Sequence, residues 1–262
     1  MDVLIVYLLV GAFAGLIAGL LGVGGGLIIV PVLVFVFQGQ VVDSSAIVHL
    51  AIGTSLATIA ITSISSMRAH HRHGAVQWPV FRRLAPGLVV GALVGAAIAD
   101  FLPTQAMRLW FGIFELLVAV QIGFNLMVAP RGHLPGALGT SVAGGIIGAI
   151  SAALGIGGGT LTTPFLVWCN FTLRQAVATS SACGLPIALA GAAGFVATGW
   201  NKSGLPEWSS GYLYWPAFAG IVISSLLFAP LGAKLTHTLP VVVLRRFFAV
   251  FLAILGVRML IG

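Results

Sequence analysis

Polar positions interrupt this chain so rarely that its elements read as uninterrupted apolar runs. Long runs occupy 3–21, 45–66, 84–102, 106–128, 137–154, 175–199, 212–236 and 241–261. Each is near the roughly 20 residues a helix needs to cross about 30 Å of hydrocarbon. Two shorter apolar pieces, 26–37 and 159–170, stand apart because each follows a glycine cluster and contains a proline. The stretches are GVGGGLIIVP, Gly22 to Pro31, and GIGGGTLTTP, Gly155 to Pro164. Glycine and proline both weaken helices, so both stretches predict breaks within the membrane. No gap between runs could fold as a separate domain, so one integrated transmembrane domain is predicted.

The pattern also repeats. "IGTSLA" (52–57) answers to "VATSSA" (177–182), Trp78-Pro79 to Trp215-Pro216, and "LPTQAMRLWFGIF" (102–114) to "LPVVVLRRFFAVF" (239–251). The last two matches share one offset, which divides the chain into a first membrane repeat, 1–130, and a second, 131–262. Charge sets their relative orientation. The gap after 45–66 holds Arg68, Arg72, Arg82 and Arg83, the mark of a cytoplasmic loop, whereas its counterpart, "NKSGLPEWSSGYLYW", holds one lysine, one glutamate and several aromatics. The gap after 84–102 is poor in charge, and its counterpart holds Lys234, Arg245 and Arg246. The basic sides are swapped, which predicts inverted halves. Each half then has three ordinary spans plus a glycine-broken region that enters and leaves on one side, as two spans or as a hairpin turning within the membrane. The predicted fold class is an all-α polytopic membrane protein, 8–10 transmembrane elements in two inverted repeats, each opening with a glycine-broken segment. Eight spans in parallel halves are the simpler alternative, but they strand Arg245 and Arg246 on the outer side.

Composition agrees. Hydrophobic residues make up 59% and charged residues 6%, with mean hydropathy +1.13, against about 25% charged in a soluble domain. The solvent of this surface is lipid. A net charge of +7 lies in short gaps between apolar runs, with no aromatic-interleaved basic stripe to bind nucleic acid. Cys169 and Cys183 fall in apolar segments without a Cys-x-x-Cys spacing and read as buried hydrophobes. Met1-Asp2 opens without a basic n-region, which predicts a retained first span.

Successive glycines allow several N–H groups to point one way, and the helix that follows carries roughly +0.5 charge at its N-terminus. Two inverted copies converging near the midplane would hold an anion on Gly24, Gly25 and Gly26 together with Gly157, Gly158 and Gly159. The repeated hydroxyls, Thr54 and Ser55 with Thr179 and Ser180, would either donate to the anion's oxygens or bond the carbonyl one turn back. By contrast Gly11, Gly15, Gly19, Gly144, Gly145 and Gly148 read as close helix packing. Glu115 lies mid-span where the second half has Leu252, with Arg108 seven residues earlier on the same face; together with His49 it is a candidate for ion coupling. His70, His71 and His73 are joined by no cysteine or carboxylate, so they predict a solvated loop and no metal site. Neither glycine cluster is a P-loop, since no Gly-Lys-Ser/Thr follows. Leu27 and Thr160 occupy the third-glycine places of a dinucleotide pattern, and "GTS" at 53–55 lacks a closing glycine and a matched base. No enzyme and no cofactor is predicted.

With "GLLGVGGGLIIVP" and "AALGIGGGTLTTP", followed by "AIGTSLATIAITSISS" and "HRHGAVQWP", the whole chain resembles the TauE/SafE family of sulfite and organosulfonate exporters. Carried over on that resemblance, the family's glycine motifs fall on Gly22, Gly24 to Gly26, Gly155 and Gly157 to Gly159, and its hydroxyl segments on Thr54, Ser55, Thr179 and Ser180. Its "H…G-x-V" is matched by His70 or His71, Gly74 and Val76. The frequent Val-Asp-Trp is Val76-Gln77-Trp78 here. The resemblance implies a secondary transporter in a bacterial cytoplasmic (inner) membrane, exporting sulfite or a small organosulfonate anion by alternating access. A proton-coupled importer of a sulfur-containing anion and an anion channel are the alternatives. The expected partners are the small anion and membrane lipid, with homo-oligomerisation left open.

Overall fold

Inside hydrocarbon a backbone amide has no water to bond, so each apolar run closes its own hydrogen bonds as a helix. A computed structural model describes residues 2–21, 25–39, 45–126, 129–235 and 241–261, with side chains outside 2–3, 18–21, 232–235 and 241–245. Their order is α1 Asp2–Leu21, α2 Gly26–Gln38, α3 Ile47–Arg72, α4 Trp78–Phe101, α5 Thr104–Gly123, α6 Ala137–Ala153, α7 Gly159–Trp168, α8 Leu173–Gly199, α9 Trp215–Leu235 and α10 Val241–Ile261. A two-stranded antiparallel hairpin, β1 Ser209–Ser210 and β2 Leu213–Tyr214, precedes α9. Four of these helices, α3, α4, α5 and α8, are long and apolar enough to cross a membrane.

All ten apolar runs became helices, and the bounds differ where hydrophobicity is a poor guide. α3 continues through Arg68 and Arg72 into the polar gap, and α4 starts six residues before its run with Pro79 in the first turn, a place where proline costs no hydrogen bond. The two helices of each glycine-broken region fold back on one another, as the two-span and the hairpin readings both require. Arg131 and Gly132, ahead of α6, both donate their amides to the Trp168 carbonyl at the end of α7, at 3.3 and 2.9 Å. At the corresponding place Tyr7 near the start of α1 meets Phe37 near the end of α2, ring centroids 6.5 Å apart. α7, with 10 residues, rises about 15 Å, half the hydrocarbon depth.

Helix pairs cross between the two halves of the sequence. α4 lies parallel to α6, with Gly87, Gly91 and Gly95 backed onto Ser141, Gly145 and Ala149, while α1 lies parallel to α9, with Gly11 against Ile221 and Ser224 and Gly15 against Ser225. α3 and α8 run antiparallel, Gly53 meeting Phe195, Leu56 meeting Gly191 and Ser63 meeting Gly184. α5 and α10 do the same, with Gly112 at Gly256 and Leu260, and Gly123 at Ala249. Gly11, Gly15, Gly144 and Gly148 therefore do what their spacing predicted, whereas Gly19 lies outside the residues whose surroundings are described. Cys169 and Cys183 are buried and unpaired.

Large apolar side chains also cover the outside, among them Leu9, Val90, Leu117, Val142, Leu227 and Ile254. So much exposed apolar surface is stable only against lipid. The chain is an integral membrane protein.

The α4–α6 contact yields a paired prediction. A methyl on Gly91 would be driven into the Gly145 carbonyl, yet one on Gly145 meets nothing nearer than the Gly87 oxygen at 3.8 Å. Gly91→Ala is expected to destabilise by about 1–3 kcal/mol through overpacking. Gly145→Ala is expected to be neutral, or more stable by up to about 1 kcal/mol from helix propensity. Unfolding of both variants in detergent checks the contrast.

Candidate functional site

The two glycine breaks meet at the middle of α3. A Cβ added at Gly26 would lie 2.6 Å from the Gly155 carbonyl oxygen and 3.0 Å from Ile59 Cδ1, and one on Gly157 would lie 3.5 Å from Ile59 Cγ2. Gly158 packs instead on α8, where an added Cβ would be 2.9 Å from both the Gly184 nitrogen and the Ser180 oxygen. Gly25 and Gly158, which cap α2 and α7, hold right-handed conformations (φ −76° and −62°). Space, and not a left-handed turn, requires glycine at Gly26 and Gly158. The left-handed turn is at Gly155, φ +67°, and it aims the Gly155 carbonyl at Ser55, whose Oγ donates to it at 2.9 Å. Gly22 and Gly24 lie outside the described residues.

The first turn of α7 leaves donors free. The first amide bonded along the helix is that of Thr162, to the Gly158 oxygen at 2.9 Å; among the described residues no acceptor meets those of Gly157, Gly158, Gly159, Thr160 and Leu161. Gly157, Gly158 and Thr160 are buried. A buried amide without a partner costs about 1–3 kcal/mol, and the acceptors that suit a helix N-terminus are oxygens of an anion or of water.

The repeated threonines have a use that neither sequence reading anticipated. Thr54 Oγ1 accepts the Tyr214 amide at 3.0 Å, and Thr179 Oγ1 accepts the Gln77 amide at 3.0 Å. Gln77 and Tyr214 stand immediately before the repeated Trp-Pro pairs. Each threonine thus ties its own long helix to the start of α9 or α4 in the other half, and both are fully buried. Ser180 follows the one-turn bonding expected of it, to the Val177 oxygen at 2.9 Å, and also meets Thr163 Oγ1 at 2.8 Å. Thr163 and Ser63, which lies at Gly184, were missed because neither repeats in the other half. The amides of Gln77 and Tyr214 were missed because a backbone donor has no side-chain signature.

His49 is a packed hydrogen bonder here. Its Nε2 donates to the Ala99 oxygen at 2.9 Å, and its ring stacks on Tyr212 at 5.2 Å. Tyr212 sits at the turn of the β hairpin after Gly211 (φ +56°) and donates to Asp100 Oδ1 at 3.1 Å, beside the Lys202–Asp100 ion pair at 3.3 Å. Burial, then the Asp100 bond, pushes the phenol's pKa well above its ordinary value. The "SSGYLYW" stretch, which straddles the predicted gap and the start of run 212–236, therefore plugs the end of the α3–α8 pair. Glu115 is fully buried on the α5 face shared by Phe111, Val118 and Ala119, and neither carboxyl oxygen has a partner among the described residues. Arg108 does not pair with it: with the Gln38 amide oxygen turned inward, that oxygen accepts from both Arg108 Nη atoms at 3.2 Å. The histidines predicted in a loop close α3 instead, His70 and His71 in its last turn and His73 at its cap, and His71 Nδ1 accepts from Trp78 Nε1 at 3.2 Å. No metal-ligating cluster occurs among the described residues.

Two outcomes follow from these contacts. Thr54→Val and Thr179→Val each strand a backbone amide and are expected to cost about 1–3 kcal/mol, adding in the double variant because they share no partner, with Thr→Ser retaining stability. Unfolding in detergent reads all of them. Glu115→Leu, copying buried Leu252, is expected to raise the unfolding free energy by about 1–3 kcal/mol, since it removes an unpartnered polar group at similar volume. A loss of stability would show that the carboxyl is bonded.

Comparison with known proteins finds relatives along the whole chain. A family profile described as "Sulfite exporter TauE/SafE" matches residues 7–259. A "Probable membrane transporter protein" of Haemophilus influenzae is 36% identical over 255 residues, covering 96% of each chain. "Probable membrane transporter protein YdhB" of Bacillus subtilis is 26% identical, covering 97% of this chain and 98% of its own. A similarly named protein of Methanocaldococcus jannaschii is 26% identical over 97% of this chain and 94% of its own. No solved structure gives a significant match. From its first helix to its last, the chain belongs to the sulfite exporter TauE/SafE family of membrane transporters.

Proposed function

We propose that the protein is a secondary transporter exporting sulfite or a small organosulfonate anion across a bacterial cytoplasmic membrane by alternating access between two inverted halves, 1–130 and 131–262. The observation that carries this reading is the first turn of α7. It presents five amides without an acceptor among the described residues, opposite the glycine break of the first half. A helix N-terminus of roughly +0.5 charge in a dry site favours an oxyanion. The antiparallel run of α3 against α8 and of α5 against α10 supports inversion, because each pair joins corresponding elements of the two halves. So does the exchange of partners, α1 with α9 and α6 with α4. On this reading Gly24, Gly25, Gly26, Gly157, Gly158 and Gly159 hold the anion, and Ser55, Ser180, Thr54 and Thr179 shape the walls around it.

An inside-negative potential of 100 mV favours outward movement of a monoanion by about 2.3 kcal/mol, a gradient of about 40- to 50-fold without a coupling ion. A second reading, proton-coupled import of the same anion class, rests on Glu115, whose buried carboxyl has no partner among the described residues. Labelled sulfite uptake into proteoliposomes under an imposed inside-positive potential separates the two. The uncoupled carrier is expected to show saturable flux that follows the potential. Flux that waits for a proton gradient and is lost in Glu115→Gln would establish the coupled reading, and non-saturating flux would establish a channel. Gly157→Ala meets only an ordinary 3.5 Å contact yet places a methyl beside the free amides. It is expected to fold as wild type and lower sulfite flux at least tenfold; an unchanged rate would remove the anion from α7.

A further inference from the structure

An open groove of about 490 Å³ lies between α3 and α9, on the opposite side of α3 from the glycine breaks. Ile59 faces the breaks, and Arg68 is nine residues further on, two and a half helical turns, which puts it on the reverse face. The groove is graded along its length. Ile61, Ile64 and Leu226 line it toward the hydrocarbon, while Ser65, Arg68 and Arg72 line it toward the basic end of α3. Arg68 and Arg72 are one turn apart on one face and exposed. Neither α3 nor α9 carries an acidic residue, and the ion pair recorded among the described residues, Lys202–Asp100, is elsewhere. Among the described residues, these two guanidiniums at the polar end of α3 thus stand without a counter-charge beside an apolar trough.

We propose that this groove binds an anionic phospholipid. Arg68 and Arg72 take the phosphate in charge-assisted hydrogen bonds, which the forked guanidinium suits. The Ser65 hydroxyl supplies a third donor, and the start of an acyl chain lies on Ile61, Ile64 and Leu226. Basic side chains at this boundary are attracted to anionic headgroups. A choline or ethanolamine head would bring another cation to a place that already holds two. A free anion on its way to the glycine breaks would use the other face of α3 and gain nothing from the isoleucines. The groove depends on no reading of the transported solute.

The test is native mass spectrometry of the full chain in detergent, titrated with phosphatidylglycerol or phosphatidylcholine. Wild type is expected to retain one phosphatidylglycerol with an affinity about thirtyfold above that of Arg68→Gln/Arg72→Gln, and phosphatidylcholine is expected to bind both equally weakly. Arg82→Gln/Arg83→Gln, the same charge change on α4, is expected to keep the bound lipid. Ile64→Trp, which fills the trough and leaves the charges, is expected to lose it, and serves also if the double arginine variant does not fold. Equal lipid retention in wild type and the Arg68/Arg72 or Ile64 variants would overturn the site. Equal loss in the Arg82/Arg83 control would reduce it to general surface charge, and displacement by millimolar inorganic phosphate would make it a small-anion site; either result overturns the proposal.

Discussion

Everything in this fold follows from the absence of water around the backbone. A helix that crosses hydrocarbon satisfies itself, but one that stops halfway leaves its end groups for something else to meet. α2 and α7 are short, with 13 and 10 residues, and the polar groups at the breaks and at helix starts find partners from across the molecule. Ser55 of α3 meets the Gly155 carbonyl at the second break. Thr54 and Thr179 meet the amides ahead of α9 and α4. Each bond joins one half of the sequence to the other. The α7 amides that meet no acceptor among the described residues are the remainder of that account, and they lie near the contact of the two breaks.

Much of the architecture was legible because lipid makes hydrophobicity a direct record of position. The apolar runs became the helices, and the small residues at i, i+4 spacing, such as Gly11 and Gly15, became the crossings. Duplication, visible in the Thr-Ser and Trp-Pro matches, located the residues that matter, since both pairs meet in the structure as Thr54 with Tyr214 and Thr179 with Gln77. Their role was not legible. A hydroxyl in a sequence is equally a donor to a ligand, a donor to its own helix or an acceptor, and only the position of the facing backbone decides. The β hairpin escaped for a similar reason: its two-residue strands are too short to show a period, and the burial of Tyr212 depends on the gap between α3 and α8. Glu115 was visible as an isolated acid, but the Arg108 pairing suggested by spacing gave way to Gln38 because α2 ends beside the start of α5.

The two breaks are built alike and lined differently. Where α2 has Leu27, Ile29 and Val30, α7 has Thr160, Thr162 and Thr163. Leu27, Ile29 and Val30 are buried in the main apolar cluster, whereas Thr163 meets Ser180 and the Thr162 hydroxyl has no partner among the described residues. The two stretches share their frame of glycines and proline, but polarity has been placed on one of them. An oxyanion held at the proposed site would therefore face α7 with its oxygens and the first half with whatever apolar part it carries.

The two threonine ties also bear on the proposed motion. Both are formed at once, and each joins a long central helix of one half to the start of a helix in the other, near opposite ends of the antiparallel α3–α8 pair. If the halves rock against each other about the glycine breaks, opening one end parts one threonine from its amide while the other tie holds. Each exposed amide then gains water, so the penalty is well below that of burying it unpaired. The same constraint that pins the halves together in hydrocarbon thus makes a wet opening cheap. On that view the broken helices supply the binding site, and the ties beyond them decide which end is closed.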